Sequence, residues 1–436
     1  MHYLLKVTLN INFSPAQTEQ MNFIYNIGIL IFTFLAWLVS PFNSKARKWV
    51  RGRKGWTSTV AERVNSGERN IWIHCASLGE FEQGRPLIEA IRERAPEYNI
   101  VLTFFSPSGY EVRKSYQPDR CVCYLPADTP GNARKFVEMT NPVFALFVKY
   151  EFWNNYISEL SRKGIPLYLI SGIFRPGQHF FSWYGSWFRA ILGKFTHFFV
   201  QDEGSVQLLK SIGIDNVTLA GDTRFDRVMQ IAGAARSIPQ IEDFRGDGKL
   251  LLAGSSWKED EEIIARYINS YPERLKWVFA PHEVDPSNIS RLERLFRVKT
   301  VRFSAYAGDS SDARVMIIDN IGMLSSAYRY AGMAAVGGGF GKGIHNVLEP
   351  ACWGIPVLFG PNHQKFREAV GLINTGGAVS FSDYEGFESA LDRWINDPEL
   401  YRKAAEAAGS YVRENTGATA KILTCVMTED INRHRS

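Results

Sequence analysis

Two glutamates sit at a turn in IWIHCASLGEFEQGRPLIEAIRER, residues 71–94, where an apolar run passes through small residues into an amphipathic helix. Phe81, Gly84, Ile88 and Ile91 recur at helical spacing as a buried stripe. Glu82, Arg85, Glu89 and Arg92 follow one another on the opposite side, so Glu82 is expected on a solvated face. Glu80 precedes that pattern, at the carboxyl end of the apolar run. A carboxylate there either stabilises the helix start, worth about 0.3–1 kcal/mol, or takes a proton from an acceptor hydroxyl as a general base. Glu151, in PVFALFVKYEFW, and Arg224, in LAGDTRFD, hold comparable positions; the bland alternative for each is half of a surface ion pair.

A second constellation lies in MAAVGGGFGKGIHNVLEPACWGIPVLFGP, residues 333–361: an apolar run, a glycine-rich loop, a helix expected to start near His345 or Asn346, and a second apolar run. Glycines let backbone approach a ligand closely, and the N–H groups of a helix start attract phosphate. Glu349, one turn in, is placed to accept hydrogen bonds from ribose hydroxyls. Five glycines exceed what one tight turn needs, which favours ligand binding over a purely structural turn. The spacing is not the Gly-x-Gly-x-x-Gly dinucleotide fingerprint. Ser255 and Ser256, His282 in APHEVD, and the backbone around Gly322 in DNIGML also end apolar runs; helix capping explains the two serines equally well.

The elements that must hold these residues alternate. From residue 70 the runs IWIHCAS, NIVLTFFS, CVCYLPAD, PVFALFVKYE, PLYLISGIF and THFFVQD are separated by helical stretches, as expected for parallel strands buried on both faces. A looser segment at 230–248 reads as a linker. The series then restarts with LLLAGSS, KWVFAPHE, RVMIIDN, MAAVGGGF, IPVLFGP and GAVSFS. The expected fold is α/β, two doubly wound Rossmann-like domains facing a cleft, over residues 45–230 and 248–436, with the last helix free to pack back on the first domain. In such sheets ligands bind at the carboxyl ends of strands, where the polar residues above fall.

A length of 436 residues with 45% hydrophobic content suits two domains, and a net charge of +5 without a basic tail excludes nucleic-acid binding. Much of the excess charge is local. Residues 21–44 carry no charged side chain, and Lys45, Arg47, Lys48, Arg51, Arg53 and Lys54 follow at once, the pattern of an uncleaved membrane anchor with a cytoplasmic body. A helix lying in the interface is the alternative, given Pro41 and several asparagines. The first twenty residues show no pattern and read as an upstream start before Met21. An aromatic and basic stretch without acids, residues 174–195, suits a membrane interface or a loop over the core. Five cysteines, without a Cys-x-x-Cys pair, fit reduced core thiols, and Cys121 and Cys123 share one strand face.

Four motifs in order resemble the 3-deoxy-D-manno-octulosonic acid (Kdo) transferases of lipopolysaccharide and lipid A biosynthesis, membrane-associated inverting glycosyltransferases of the GT-B fold. HCASLGE stands for the family's His-Ser-Val-Ser-Val-Gly-Glu, KYEFW for Glu-Thr-Glu-Leu-Trp, GDTRFD for Gly-Asn-Leu-Lys-Phe-Asp and GIHNVLEP for Gly-Gly-His-Asn-x-Leu-Glu. The resemblance implies transfer of Kdo from CMP-Kdo to a glucosamine hydroxyl of a lipid A precursor, with no metal or other cofactor. It further implies residence on the inner (cytoplasmic) membrane, catalytic domains on the cytoplasmic side, the first binding the acceptor and the second the CMP-sugar. It makes Glu80 the general base and gives Glu151 and Arg224 transition-state support. CMP falls to Pro281, His282, Ile321, Gly322, Met323, Asn346, Val347, Leu348 and Glu349. The sequence departs from the family in placing Arg224 for a lysine, Pro281-His282-Glu283 for Pro-Arg-His, Gly322-Met323 for Gly-Glu, and Lys149 for the first glutamate of Glu-Thr-Glu. Two readings stand beside this one: a membrane-associated GT-B enzyme using a UDP-sugar, and a non-catalytic nucleotide-sugar-binding scaffold.

Overall fold

The computed structural model describes residues 15–116, 121–308 and 312–435. Contacts divide the chain into a first unit, Met1–Arg227 with Gly417–Ser436, and a second, Val228–Thr416.

The first unit is built on a parallel sheet of β1 (Asn70–Cys75), β2 (Asn99–Phe104), β3 (Cys121–Tyr124), β4 (Pro142–Val148), β5 (Leu167–Gly172), β6 (His197–Val200) and β7 (Val217–Leu219). Its order is β3-β2-β1-β4-β5-β6-β7, so the direction of winding reverses between β1 and β4. Side chains alternate between two cores: Ile71, Ile73, Leu102 and Leu146 on one face, Trp72, Val101, Ala145 and Phe147 on the other. That double burial explains the unbroken apolar runs. The Leu78–Arg94 helix buries Phe81, Gly84, Ile88 and Ile91 as its spacing predicts. A Cβ at Gly84 would stand 3.3 Å from both Cys75 Sγ and Val148 Cγ2, so glycine lets this helix lie close over the ends of β1 and β4.

The second unit repeats the plan with β8 (Leu250–Ser256), β9 (Lys276–Pro281), β10 (Thr300–Arg302), β11 (Val315–Ile317), β12 (Met333–Val336), β13 (Val357–Phe359) and β14 (Ala378–Ser380). The order is β10-β11-β9-β8-β12-β13-β14, with its reversal between β8 and β12. All twelve strands expected from sequence are present. The two additional strands, β7 and β10, are three-residue edge strands without a buried position, so no apolar run announces them. Residues 230–248, expected as a linker, hold the end of the Thr223–Gly233 helix and a second helix, Pro239–Arg245. Ile241 and Phe244 of the latter are fully buried in the second unit.

The uncharged N-terminal stretch is one helix, Pro15–Val39. Of the expected upstream start, residues 1–14 lie outside the described residues, and the rest continues this helix. Met21, Asn22, Tyr25, Asn26, Ile29, Thr33 and Ala36 are half-buried at helical spacing, while Phe23, Ile27, Leu30, Ile31, Phe34 and Leu38 are exposed. The helix is long and apolar enough to cross a membrane, yet its inner face is bonded to the first unit. Asn22 Oδ1 accepts from Asn154 Nδ2 (3.2 Å) and Trp187 Nε1 (3.0 Å). The Tyr25 hydroxyl donates to Asp128 Oδ2 (2.6 Å), and Asn26 Oδ1 accepts from Asn155 Nδ2 (2.8 Å). Further along, the Phe32 ring meets Trp49 at 5.4 Å.

Candidate active site

The turns that follow β1 and β4 flank the point where the first sheet reverses, the place at which open α/β sheets bind ligands. Glu80 lies in the first turn of the Leu78–Arg94 helix, half-buried, and the Ser77 hydroxyl donates to its Oε2. Although Ser77-Leu78-Gly79-Glu80 has the spacing of a capping box, the serine side chain makes no cap to the helix backbone. The serine instead holds the carboxylate. The fully buried Cys75 thiol, at the end of β1, is pushed up by burial and then by the nearby charges of Glu80, Glu151 and Glu82, which places these carboxylates around one strand end.

Glu151 is nearly buried, 9% exposed, and its Oε2 accepts from Trp153 Nε1 (2.6 Å) and His74 Nε2 (3.1 Å). On the other edge of the imidazole, Nδ1 meets Thr103 Oγ1 at 2.8 Å, and the same oxygen accepts from Trp72 Nε1 at 2.8 Å. Trp153 Nε1 also lies 3.2 Å from His74 Nε2, so the indole, the imidazole and the carboxylate meet at one point. Glu151 is thus held by Trp153 and His74. Sequence reasoning named Glu151 but missed His74, Trp153 and Thr103. Their signal was periodicity: His74 and Thr103 are polar residues at inward positions of otherwise apolar strands.

Arg224 lies in the first turn of the Thr223–Gly233 helix, after β7. Its Nε and Nη2 contact Asp222 Oδ2 at 2.8 and 2.7 Å, so the guanidinium is one-third exposed and partly neutralised. Thr223 ties this turn to the others, its Oγ1 donating to Gln83 O (2.6 Å) and lying 3.0 Å from Ser171 Oγ. The solvated face expected for Glu82 is corrected. Glu82 accepts from Arg113 Nη2 at 2.7 Å, lies 3.6 Å from Arg227 Nε, and belongs to a half-buried network with Arg85 and Glu89. The partner cations come from other helices, which the periodicity of one helix does not reveal.

In the second unit the glycine-rich loop follows β12 and packs against the end of β8. A Cβ at Gly337 would lie 2.3 Å from Ser255 O, and one at Gly339 would lie 2.6 Å from Gly360 Cα. Backbone packing therefore accounts for these two glycines before any ligand does. Loop N–H groups of Gly337, Gly338, Gly341, Gly343 and His345 are taken up by Gly254 O, Asp260 Oδ2, Gly338 O twice, and Gly337 O. The helix expected from His345 or Asn346 is only the four-residue turn Leu348–Ala351, with Pro350 inside it and Gly354 soon after, so its dipole is small. Asn346 Oδ1 accepts from Leu348 N (3.2 Å). The Glu349 carboxylate accepts from Asn346 Nδ2 (3.1 Å) and Ser325 Oγ (2.7 Å), joining the segment after β12 to the one after Ile321–Met323. Ile321 is 86% exposed, Gly322 has φ +95°, and Val347 and Leu348 are buried.

His282, at the end of β9, stacks over two neighbouring rings, Trp257 at 4.5 Å and His345 at 4.6 Å, which are joined by Trp257 Nε1 donating to His345 Nε2 (3.0 Å). Burial, then the neighbouring His282, holds the His345 pKa low on this aromatic face. Ser256 does not cap the following helix; its hydroxyl donates to buried Glu261 (2.8 Å), and the backbone N–H of Trp257 is accepted by Asp260 (3.1 Å). Trp257, Ser325, His345 and Asp260 were missed. Trp257 and Ser325 each follow a stretch singled out from sequence, and His345 stood in view only as a possible helix start. Among the described residues, no group of three or more His, Cys, Asp or Glu is placed to hold a metal ion.

A family model described as 3-deoxy-D-manno-octulosonic-acid transferase (kdotransferase) matches residues 49–227, most of the first unit. The chain is 29% identical over 343 residues to the 3-deoxy-D-manno-octulosonic acid transferase of Aquifex aeolicus (strain VF5), covering 77% of this chain and 85% of that one. It is 23% identical over 410 residues to the enzyme of the same name from Haemophilus influenzae, covering 90% and 94%. In fold, it is similar to the UDP-GlcNAc 2-epimerase of Neisseria meningitidis bound to UDP-GlcNAc, with a TM-score of 0.60, 17% identity and coverage of 82% and 100%. A putative UDP-N-acetylglucosamine 2-epimerase of Listeria monocytogenes gives a TM-score of 0.58 at 14% identity, covering 83% and 96%. These neighbours bear out the two-domain GT-B architecture.

Proposed function

Because the chain is a glycosyltransferase of the Kdo-transferase family, we propose that it moves Kdo from CMP-Kdo to a glucosamine hydroxyl of a lipid A precursor, with inversion and without a metal. The observation that carries the mechanism is Glu80, at the reversal point of the first sheet with Oε2 held by Ser77. In this reading Oε1 takes the hydroxyl proton as the acceptor oxygen attacks the anomeric carbon. The bond from that carbon to the phosphate oxygen breaks, and its electron pair leaves with CMP. Glu151, held by His74 and Trp153, offers negative charge to the electron-poor sugar centre of the transition state. Arg224 supplies the cation for the departing phosphate, restrained by Asp222. Its permanent charge suits a reaction that needs no metal.

The second unit would hold CMP, the aromatic cluster of Trp257, His282 and His345 facing the nucleotide and Glu349 accepting ribose hydroxyls. The apolar outer face of the Pro15–Val39 helix and the cations from Lys45 to Lys54 support an enzyme seated on the cytoplasmic side of the inner membrane. Because the helix's inner polar side chains are bonded to the first unit, we read it as lying along the membrane surface and not crossing it. Incubating the full chain with CMP-Kdo and a tetra-acylated lipid A precursor, then weighing the lipid by mass spectrometry, should show the mass of added Kdo. Stronger protection from thermal unfolding by UDP than by CMP would overturn the donor assignment.

A further inference from the structure

An apolar cavity of about 570 Å³ lies in the first unit between the Pro15–Val39 helix and the aromatic stretch that follows β5. Its size falls within the roughly 300–1,000 Å³ of small-molecule pockets. Met21 and Ile24 form one wall, Phe180, Trp187 and Phe188 the other, and Tyr150 and Phe152 line it from the turn after β4. Those last two residues flank Glu151, which is itself bonded to His74 and Trp153. One wall belongs to a helix whose outer face exposes Phe23, Ile27, Leu30 and Ile31, and beside the other wall stand exposed Trp183 and Tyr184. Apolar surface thus continues from the cavity to a face suited to lipid, so a hydrocarbon chain can enter without crossing water.

We propose that this cavity is an acyl-chain subsite that holds one fatty-acyl chain of the lipid acceptor and thereby draws its sugar to the turn bearing Glu151. The inference rests on the transferase reading above and names what that reading leaves open: how a lipid's headgroup is brought to the base. The lining is mainly apolar, with Gln178 and His179 among it, and each methylene buried from water contributes about 0.8 kcal/mol. Measured by position, the cavity acts on acceptor binding and leaves proton transfer to Glu80 untouched.

Two substitutions fill it from opposite walls, Ile24→Trp and Gly177→Trp. Ile24 is 52% exposed, and a Cβ at Gly177 meets nothing within 4 Å, so neither disturbs the core. The KM for a tetra-acylated precursor should rise about tenfold, the equivalent of about two buried methylenes, with kcat/KM for the deacylated disaccharide unchanged. Equal losses on both acceptors, or no loss on either, would overturn the subsite. A precursor with a diazirine in its acyl chain should crosslink within residues 21–25 or 177–191, at least tenfold less in either variant. That readout needs no turnover. Kdo product with labelling elsewhere defeats the subsite alone, and cavity labelling without Kdo product defeats the transferase reading alone.

Discussion

The two units share one plan and put different chemistry at the same place in it. Without the extra edge strands β7 and β10, both sheets reduce to a six-stranded doubly wound order whose winding reverses at its central pair, β1 with β4 and β8 with β12. At the first reversal stand carboxylates held by neighbouring side chains, Glu80 by Ser77 and Glu151 by His74 and Trp153. At the second, glycines bring backbone against backbone beside stacked rings, and the acid nearest the loop, Asp260, is buried in backbone contacts. On the proposed reading, one end moves a proton and the other receives the nucleotide. The contrast teaches that the fold fixes where a site is, and the loops decide what it does.

The sharpest break in that contrast is Glu80→Gln. Removing a general base should lower kcat for Kdo transfer by about 10²–10⁴, with CMP affinity by calorimetry unchanged; near wild-type turnover would return Glu80 to a helix-start role. Glu349→Ala probes the other side. Losing a charged acceptor should weaken CMP binding by about 10–100-fold, while kcat at saturating donor stays within a few-fold. A kcat loss matching that of Glu80→Gln would erase the division of labour.

Two glycines compare the loops directly. Gly337→Ala drives a methyl into Ser255 O and should destabilise the second unit by about 1–3 kcal/mol. Gly79→Ala, where the nearest atom to a Cβ is Ser77 Oγ at 3.7 Å, should change stability by about 0.5 kcal/mol or less in denaturant titrations. The gentlest test concerns a trait the units share. Asp128 in the first accepts from Asn155 N and Tyr156 N, Asp260 in the second from Trp257 N and Gly338 N, and burial pushes each from 3.8 up to about 6. A raised acid binds its proton more tightly folded than unfolded, so its stabilising contribution is complete below pH 3.8 and lost as pH rises through 6. Asp128→Asn and Asp260→Asn should each remove at most one proton's worth of that slope between pH 4 and 6. A slope unchanged in either variant would show that this acid is solvated.

Strand and helix pattern carried most of the architecture, because a parallel sheet buried on both faces writes itself as apolar runs. It also carried the addresses of Glu80 and Glu151, which follow the ends of β1 and β4, whereas Arg224 follows β7, a strand that no apolar run announces. What it could not carry is pairing across elements. His74 reaches Glu151 from a different strand, Trp257 reaches His345 across 88 residues, and Glu82 finds Arg113 and Arg227 on separate helices. The glycine-rich loop is ambiguous in a specific way. A surplus of glycine reads the same whether a ligand or a neighbouring loop requires the close approach, and only the positions of Ser255 and Gly360 separate the two.

The last helix, Ala418–Arg435, packs Ile422, Leu423 and Val426 into the core that also holds Phe81 and Ile88 of the Glu80 helix. Its start is pinned by Asp226, which accepts from Gly417 N (2.6 Å) and Thr419 N (2.7 Å), and Asp430 accepts from Tyr98 (2.5 Å). The consequence is one of birth order. The second unit is a single continuous segment and can close while the chain is still being made, whereas the unit carrying the candidate base waits for its final residues to leave the ribosome. The second unit would thus close before the first, and stopping synthesis before Ala418 would leave the core behind the Glu80 helix without Ile422, Leu423 and Val426.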